Sequence, residues 1–179
     1  MGIDNDNKNL RQRLFAFRNG PVAEQLRKSG DPHDIIFGCL LPDMAQIAKD
    51  FYPNPELAQV LWNDKRHREC RLIATMLYPP ELMDDAIAMQ WCRDVENQEV
   101  ADILCLKLLR HISCAHQLWR ELVQEDNDLQ QYLGYRLLLN LLQNHKVQPT
   151  QEIYDTISSR MKNASAKLKP VLNQILEEV

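Results

Sequence analysis

Glycine is scarce in this chain of 179 residues, which contains only five. No Gly-rich loop that could cradle a phosphate, no GxSxG elbow and no catalytic Cys-His signature is present, so nucleotide hydrolysis and serine hydrolase chemistry are not supported. Strand-like alternation of polar and apolar residues is also missing, whereas Leu, Ala, Gln, Glu, Lys and Arg are abundant. These residues favour helices, and the composition therefore predicts an all-α chain.

An excess of positive charge and long apolar runs are missing as well. The formal net charge is −4 and the pI is about 5.7, which argues against non-specific coating of nucleic acid but leaves room for a local basic face. No window approaches the ~18 apolar residues of a membrane span, and the opening MGIDNDNKNL has no apolar core of a signal peptide. We therefore expect neither membrane insertion nor secretion.

Cysteines are few and odd in number: Cys39, Cys70, Cys92, Cys105 and Cys114. Most lie within helical apolar patterns, which indicates buried thiols in a reducing compartment rather than a disulfide framework, and hence a cytoplasmic protein. His111, Cys114 and His116 are close in sequence, but no second pair at ligand spacing completes a four-ligand set. The sequence therefore predicts no metal site.

The stretch from Leu41 to Leu77 contains three apolar stripes at helical spacing, separated by proline or Asn-Asp breaks. None of these short helices can bury its stripe alone, so each is expected to stack on its neighbours. Helix pairs recur along the chain at roughly 30-residue intervals, near the repeat length of two-helix solenoids. We predict one domain over residues 1–179, an α-α superhelix of HEAT-like or armadillo-type repeats forming a short curved solenoid, with a non-repetitive helical bundle as the alternative.

Two further predictions concern particular segments. Residues 1–8 are expected to form a frayed lead before the first helix. Asp126 or Asn127 is expected to cap an apolar helix that runs through Leu129 and Leu142, and this helix is predicted to be buried at the centre of the fold. Trp91, Leu137 and Leu141 are expected to be buried with it.

The first two of the three helices also carry recognisable motifs, an LP-x-x-x-x-IAK pattern from Leu41 to Lys49 and an ELA-x-x-LW pattern from Glu56 to Trp62. A basic turn then opens a helix that begins RExR at Arg68 and continues LIA. Together these motifs resemble the DNA alkylation repair family, the HEAT-like-repeat glycosylases that excise alkylated purines. The resemblance continues weakly from about Phe37 to Leu142. It implies a solenoid that binds duplex DNA on its concave face and, in active members, hydrolyses the N-glycosidic bond of a cationic base without a cofactor.

The resemblance also identifies candidate catalytic positions. In the family, a tryptophan is followed four residues later by an aspartate on one helix face. Here the aspartate position matches Asp102, whereas Gln98 stands at the tryptophan position. The family's essential arginine should fall near Tyr135-Arg136, and the most natural register places Tyr135 on it with Arg136 one residue away. For Asp102, the alternative is a solvated or helix-pairing acid.

A basic run at the start of the third helix supplies candidate DNA-binding residues: Lys65, Arg66, Arg68 and Arg71, with Arg136 added from the later helix. Several cations at one helix start could contact successive phosphates, but a solvated helix entrance is the alternative. A second cluster either continues the same face or is ordinary surface charge, and it comprises Lys107, Arg110, His111, His116 and Arg120.

The function predicted is a DNA alkylation repair-like protein that binds duplex DNA on a concave face, with glycosylase catalysis altered or lost. A helical-repeat scaffold that binds a protein partner is the alternative. One contiguous basic face would favour DNA, and scattered charges would favour protein.

Overall fold

The computed structural model describes residues 2–179, and the chain divides into two compact units, one ending at Leu82 and the other spanning Met83–Val179. Within the described residues, eleven α-helices and two 3-10 turns form the regular structure, and the only strand-like feature is an isolated bridge between Ile35 and His67. The all-α class expected from the sequence is confirmed. The single domain over residues 1–179 stays a prediction.

Unit 1 contains five α-helices and closes with a 3-10 turn at Pro80–Leu82. The helices are α1 (Ile3–Ala16), α2 (Gly20–Lys28), α3 (Leu41–Lys49), α4 (Pro55–Trp62) and α5 (Arg68–Leu77). The Asn19 and Asn54 side chains cap α2 and α4 by accepting from backbone N–H groups, and a proline in the first turn of each presets the helical backbone. α4 and α5 pack together, α3 packs on α5, and α1 covers α3 and α4.

The expectation of a frayed lead over residues 1–8 is wrong for the residues that the structure describes, and Met1 lies outside them. α1 begins at Ile3, because Asp4 and Asp6 in its first turn interact favourably with the positive end of the helix dipole. The helix is then anchored by Leu10 and Leu14, which are fully buried.

Unit 2 is built around one long central helix. Its elements are α6 (Asp85–Arg93), α7 (Gln98–Lys107), a 3-10 turn (Leu109–His111), α8 (Ala115–Leu122), α9 (Asp128–Gln143), α10 (Gln151–Lys162) and α11 (Lys169–Glu178). The Asn127 side chain caps α9, whose buried residues contact α7, α8, α11 and α6, as predicted for the central helix. Trp91, Leu137 and Leu141 are buried, as expected.

The close packing of α8 against α9 in unit 2 depends on Gly134 of α9. A Cβ added at Gly134 would lie 2.9 Å from the Leu122 Cβ and 2.9 Å from the Val123 Cγ1, so only glycine lets α8 approach α9 this closely. At 16 residues, α9 is also the longest helix of residues 2–179, and none of their helices has both the length and the apolar character that crossing a membrane requires.

The five cysteines are free thiols, and all but the half-exposed Cys114 are buried. Burial raises the pKa of Cys39 and of Cys70 to about 12, and burial with the nearby Asp85 carboxylate raises the pKa of Cys114 to about 12. Burial raises the pKa of Cys92 and Cys105 as well. The thiols therefore behave as small core side chains, as the sequence pattern indicated.

Candidate nucleic-acid interface

Asp102 lies on the second turn of α7, at the surface of unit 2. The Asn97 side chain starts this helix by accepting from the Val100 N–H at 2.9 Å, so Gln98 is its first residue and Asp102 follows one turn later. The Asp102 side chain is 35% exposed, whereas the neighbouring Ala101 is buried. The carboxylate is therefore partly desolvated but still reachable from outside.

Two side chains on consecutive turns of α9 hold this carboxylate. The Tyr132 hydroxyl donates to Asp102 Oδ1 at 2.7 Å, and the Arg136 Nε lies 3.1 Å from the same oxygen. The Arg136 N–H does not have hydrogen-bond geometry, so this second contact is an ion pair rather than a directed bond. Arg136 Nη1 also donates to Gln174 Oε1 at 3.3 Å, and the cluster thereby joins α7, α9 and α11.

Burial is the main influence on the ionisation of this cluster. It raises the pKa of Asp102, while the Tyr132 hydrogen bond and the Arg136 charge act in the opposite direction. The pKa of Tyr132 is raised by burial and by the neighbouring carboxylate, so its hydroxyl remains a donor. Both contacts fall on Oδ1, and no residue among 2–179 donates to Oδ2, which leaves that oxygen available to a ligand or a water.

The structure thus brings together two of the candidate residues that the sequence placed on separate helices. Arg136, and not Tyr135, lies beside Asp102. Which of the two corresponds to the family's arginine stays a prediction. Tyr135 is 4% exposed and lines a cleft in a different part of unit 2. Gln98 is exposed at the start of α7.

Sequence reasoning missed Tyr132 as a member of this cluster. Tyr132 is 7% exposed and lies within the apolar helix that the sequence predicts to be buried. Its spacing of four residues from Arg136, which places both side chains on one helix face, was the available signal.

The basic run of unit 1 divides into exposed and buried members. Lys65 and Arg66 are exposed, and Arg66 Nε lies 2.9 Å from Asp34 Oδ2. Arg68 and Arg71 are 5% and 0% exposed, so the expectation that they contact phosphates is wrong for this conformation.

The two buried arginines have internal partners. The Arg71 guanidinium lies over the Trp62 ring, 3.6 Å from its centroid, and donates to the Trp62 carbonyl. Arg68 Nη1 donates to Glu69 Oε1 at 2.7 Å. Both guanidinium groups are therefore engaged in holding α5 to its surroundings.

Glu69 is the centre of this buried polar cluster. It is 0% exposed and accepts from the backbone N–H of Phe37 at 3.0 Å and of Gly38 at 2.9 Å, in addition to Arg68. Gly38 has a φ of +75°, and a Cβ there would lie 2.3 Å from the Asn19 carbonyl oxygen, so glycine is required where this loop crosses the start of α2. The charges at the start of α5 thus fix a loop of unit 1.

No three His, Cys, Asp or Glu side chains within the described residues lie close enough together to hold a metal ion. The arrangement at Asp102 offers a carboxylate oxygen, a phenol and a guanidinium at a partly open surface. Groups of this kind can hold a charged ligand through ion pairs and charge-assisted hydrogen bonds.

Comparisons with known proteins agree with the fold and the motifs. One solved structure matches with a TM-score of 0.85 over 96% of this chain and 74% of that chain, at 20% sequence identity. It is described as a new family of proteins related to the HEAT-like repeat DNA glycosylases with affinity for branched DNA structures. The fold is therefore that of the HEAT-like repeat proteins, as predicted.

The family model for the DNA alkylation repair enzyme matches residues 10–176. The chain belongs to the DNA alkylation repair family, which confirms the resemblance seen in its sequence motifs. No curated protein gave a significant match.

Proposed function

We propose that this protein binds DNA and that its alkylpurine glycosylase activity is weak or lost. The observation that carries the proposal is the Asp102–Tyr132–Arg136 cluster, a half-exposed carboxylate whose Oδ1 is held by two side chains of α9. We propose that DNA contacts the face of unit 2 where α7, α9 and α11 meet. Family membership and the affinity of the similar protein for branched DNA support this choice of ligand.

Weak catalysis follows from the surroundings of the carboxylate. A glycosylase that works without a cofactor must stabilise positive charge on the departing nucleoside, which a carboxylate and aromatic faces can do. Here Asp102 supplies the carboxylate, with the Arg136 guanidinium 3.1 Å from its Oδ1, but no aromatic face is provided on the same face of α7. Gln98, one turn earlier, offers no π-face.

The binding test compares duplex DNA with a four-way junction by fluorescence anisotropy at several salt concentrations. We expect salt-sensitive binding of both, because phosphate contacts release counterions. Arg136→Gln should weaken binding and lower the salt slope by about 0.9, the value for one phosphate contact. Arg93→Gln is the matched control, since Arg93 is an exposed arginine of the same unit that pairs with Glu125.

A lack of salt-sensitive affinity would contradict DNA binding. If the wild-type protein shows no salt-sensitive affinity for either DNA form at low ionic strength, the proposal fails. A helical-repeat scaffold with a protein partner then becomes the better reading of the fold.

Catalysis is tested by measuring release of 7-methylguanine and 3-methyladenine from methylated duplex DNA. We expect little or no release above the protein-free control. Robust release that is lost in Asp102→Asn but kept in Asp126→Asn, an exposed acid of the same unit, would show that the carboxylate is catalytic and that the proposed loss is wrong.

A further inference from the structure

Many cations at the surface of this protein lie beside an acid. Examples are Arg11–Asp64, Arg13–Asp50, Lys28–Glu24, Arg66–Asp34, Arg93–Glu125 and Arg136–Asp102. Arg110, His111 and Lys146 of unit 2 differ, because they lie beside one another and no carboxylate of residues 2–179 is within ion-pair distance of them. We call these three residues the Arg110 patch.

Two separate elements build the Arg110 patch. Arg110 and His111 lie in the 3-10 turn after α7, and Lys146 lies in the loop after α9. Lys146 Nζ donates to the Arg110 carbonyl at 2.6 Å, and Arg110 Nε donates to His111 Nε2 at 3.1 Å. Arg110 Nη1 also donates to Asn144 Oδ1 at 3.5 Å, so the folded chain fixes the basic groups next to each other.

The effect of this clustering is visible on the histidine. The pKa of His111 is lowered by partial burial, then by the charges of Arg110 and Lys146. Two permanent cations are thus concentrated near an imidazole without a compensating acid. Such a site attracts an anion, because an anion would relieve the repulsion between the like charges.

The basic surface continues from Lys146 into a cleft formed by residues of α8, α9 and α10. This cleft has a volume of about 320 Å³, and His116, Arg120 and Lys146 are among its lining residues. Glu152 is the one acid among the lining residues. The net charge of the surface around Lys146 is therefore positive in a chain whose formal net charge is −4.

We propose that the Arg110 patch, extended by Arg120, binds phosphate groups. Arginine offers a planar fork of N–H donors that matches phosphate oxygens, and lysine adds a mobile point charge. The phosphates come from a DNA backbone or from a free phosphate ligand, and the two arms of the experiment distinguish these sources. The DNA arm rests on the proposed function, whereas the free-phosphate arm does not.

The first arm measures the salt dependence of duplex DNA binding for the double variant Arg110→Gln/Lys146→Gln. We expect weaker binding and a salt slope reduced by about 1.8, the value for two phosphate contacts. The matched control is Lys162→Gln/Lys167→Gln, which removes the same charge from two exposed lysines of the same unit. The control should change the slope by less than half as much.

The second arm follows the His111 imidazole by NMR as inorganic phosphate is added to the wild-type protein. A bound phosphate should raise the pKa of His111, because the anion favours the imidazolium and offsets the charges of Arg110 and Lys146. His33 of unit 1, which is buried beside Asp31, serves as the internal reference, and its NMR signals should not respond to phosphate.

The outcomes separate this inference from the proposed function. If the salt slope of DNA binding falls in the double variant but not in the control, the ligand is the phosphates of the DNA backbone. If phosphate raises the pKa of His111 but the protein does not bind DNA, the ligand is a free phosphate. A third outcome is that the wild-type protein binds DNA, but the double variant behaves like the control and phosphate leaves the His111 pKa unchanged. The inference is then wrong while the proposed function stands. If neither DNA nor phosphate binds, both fail.

Discussion

Replacing Glu69 with glutamine tests how the start of α5 is held in unit 1. The carboxylate is fully buried and receives three donors, two backbone N–H groups from the Phe37–Gly38 loop and the Arg68 guanidinium. Glutamine has the same shape but carries one oxygen and one NH₂ group. At least one donor would then face another donor, and the guanidinium would lose its counter-charge.

The expected loss of unfolding free energy follows from the cost of breaking a buried ion pair. Removing one partner of a buried, hydrogen-bonded ion pair costs about 3–5 kcal/mol, and since the glutamine oxygen keeps one acceptor we expect about 3 kcal/mol. This is a large part of the roughly 5–15 kcal/mol that stabilises a typical domain. Glu69→Gln should therefore lower the urea midpoint strongly, as followed by circular dichroism.

A matched control separates the buried charge from a general effect of removing a carboxylate. Glu56 is an exposed acid in the first turn of α4, and Glu56→Gln should cost at most about 1 kcal/mol through the helix dipole. If Glu69→Gln costs no more than Glu56→Gln, the reasoning that Glu69 holds the loop is refuted.

Three further predictions concern stability. Gly134→Ala should cost about 1–3 kcal/mol of unfolding free energy in urea, because the new Cβ would press on Leu122; an unchanged midpoint would contradict this close approach. Leu137→Ala, at a fully buried site of α9, should cost about 2–5 kcal/mol in the same assay, and a loss below 1 kcal/mol would argue against its place in the core. Burial lowers the pKa of His67 and His111 in the folded protein, whereas in the unfolded chain the histidine pKa is about 6.5. The unfolded chain therefore binds more protons than the folded protein as the pH falls below about 6.5, and stability should fall with it. A thermal midpoint that rises as the pH is lowered from about 7.5 to 5.5 would contradict this expected pH dependence.

The sequence predicted the helices well where apolar spacing and caps agree. Pro42 and Pro55 lie in the first turns of α3 and α4, and Asn127 caps α9, as the patterns indicated. These signals are local, since a cap and an apolar stripe each span only a few turns.

The partners of charged side chains could not be predicted in the same way. Arg68 and Arg71 stand in a run that is typical of an exposed helix start, but Glu69 receives donors from a loop more than 30 residues earlier and Trp62 lies beneath Arg71. Adjacent residues such as Arg68 and Glu69 do not normally face each other on a helix, so the pair gave no signal. The same limitation affected Arg136, whose position beside Asp102 depends on how α7 and α9 pack.

The raised pKa values of the cysteines have a consequence for the chemical durability of the chain. A thiol reacts with electrophiles as the thiolate, and in this protein burial keeps the sulfur of each cysteine protonated near neutral pH. Methylating agents that damage DNA bases are themselves electrophiles. The chain therefore offers them almost no thiolate, and it should keep its cysteines unmodified in a solution where nucleobases are being alkylated.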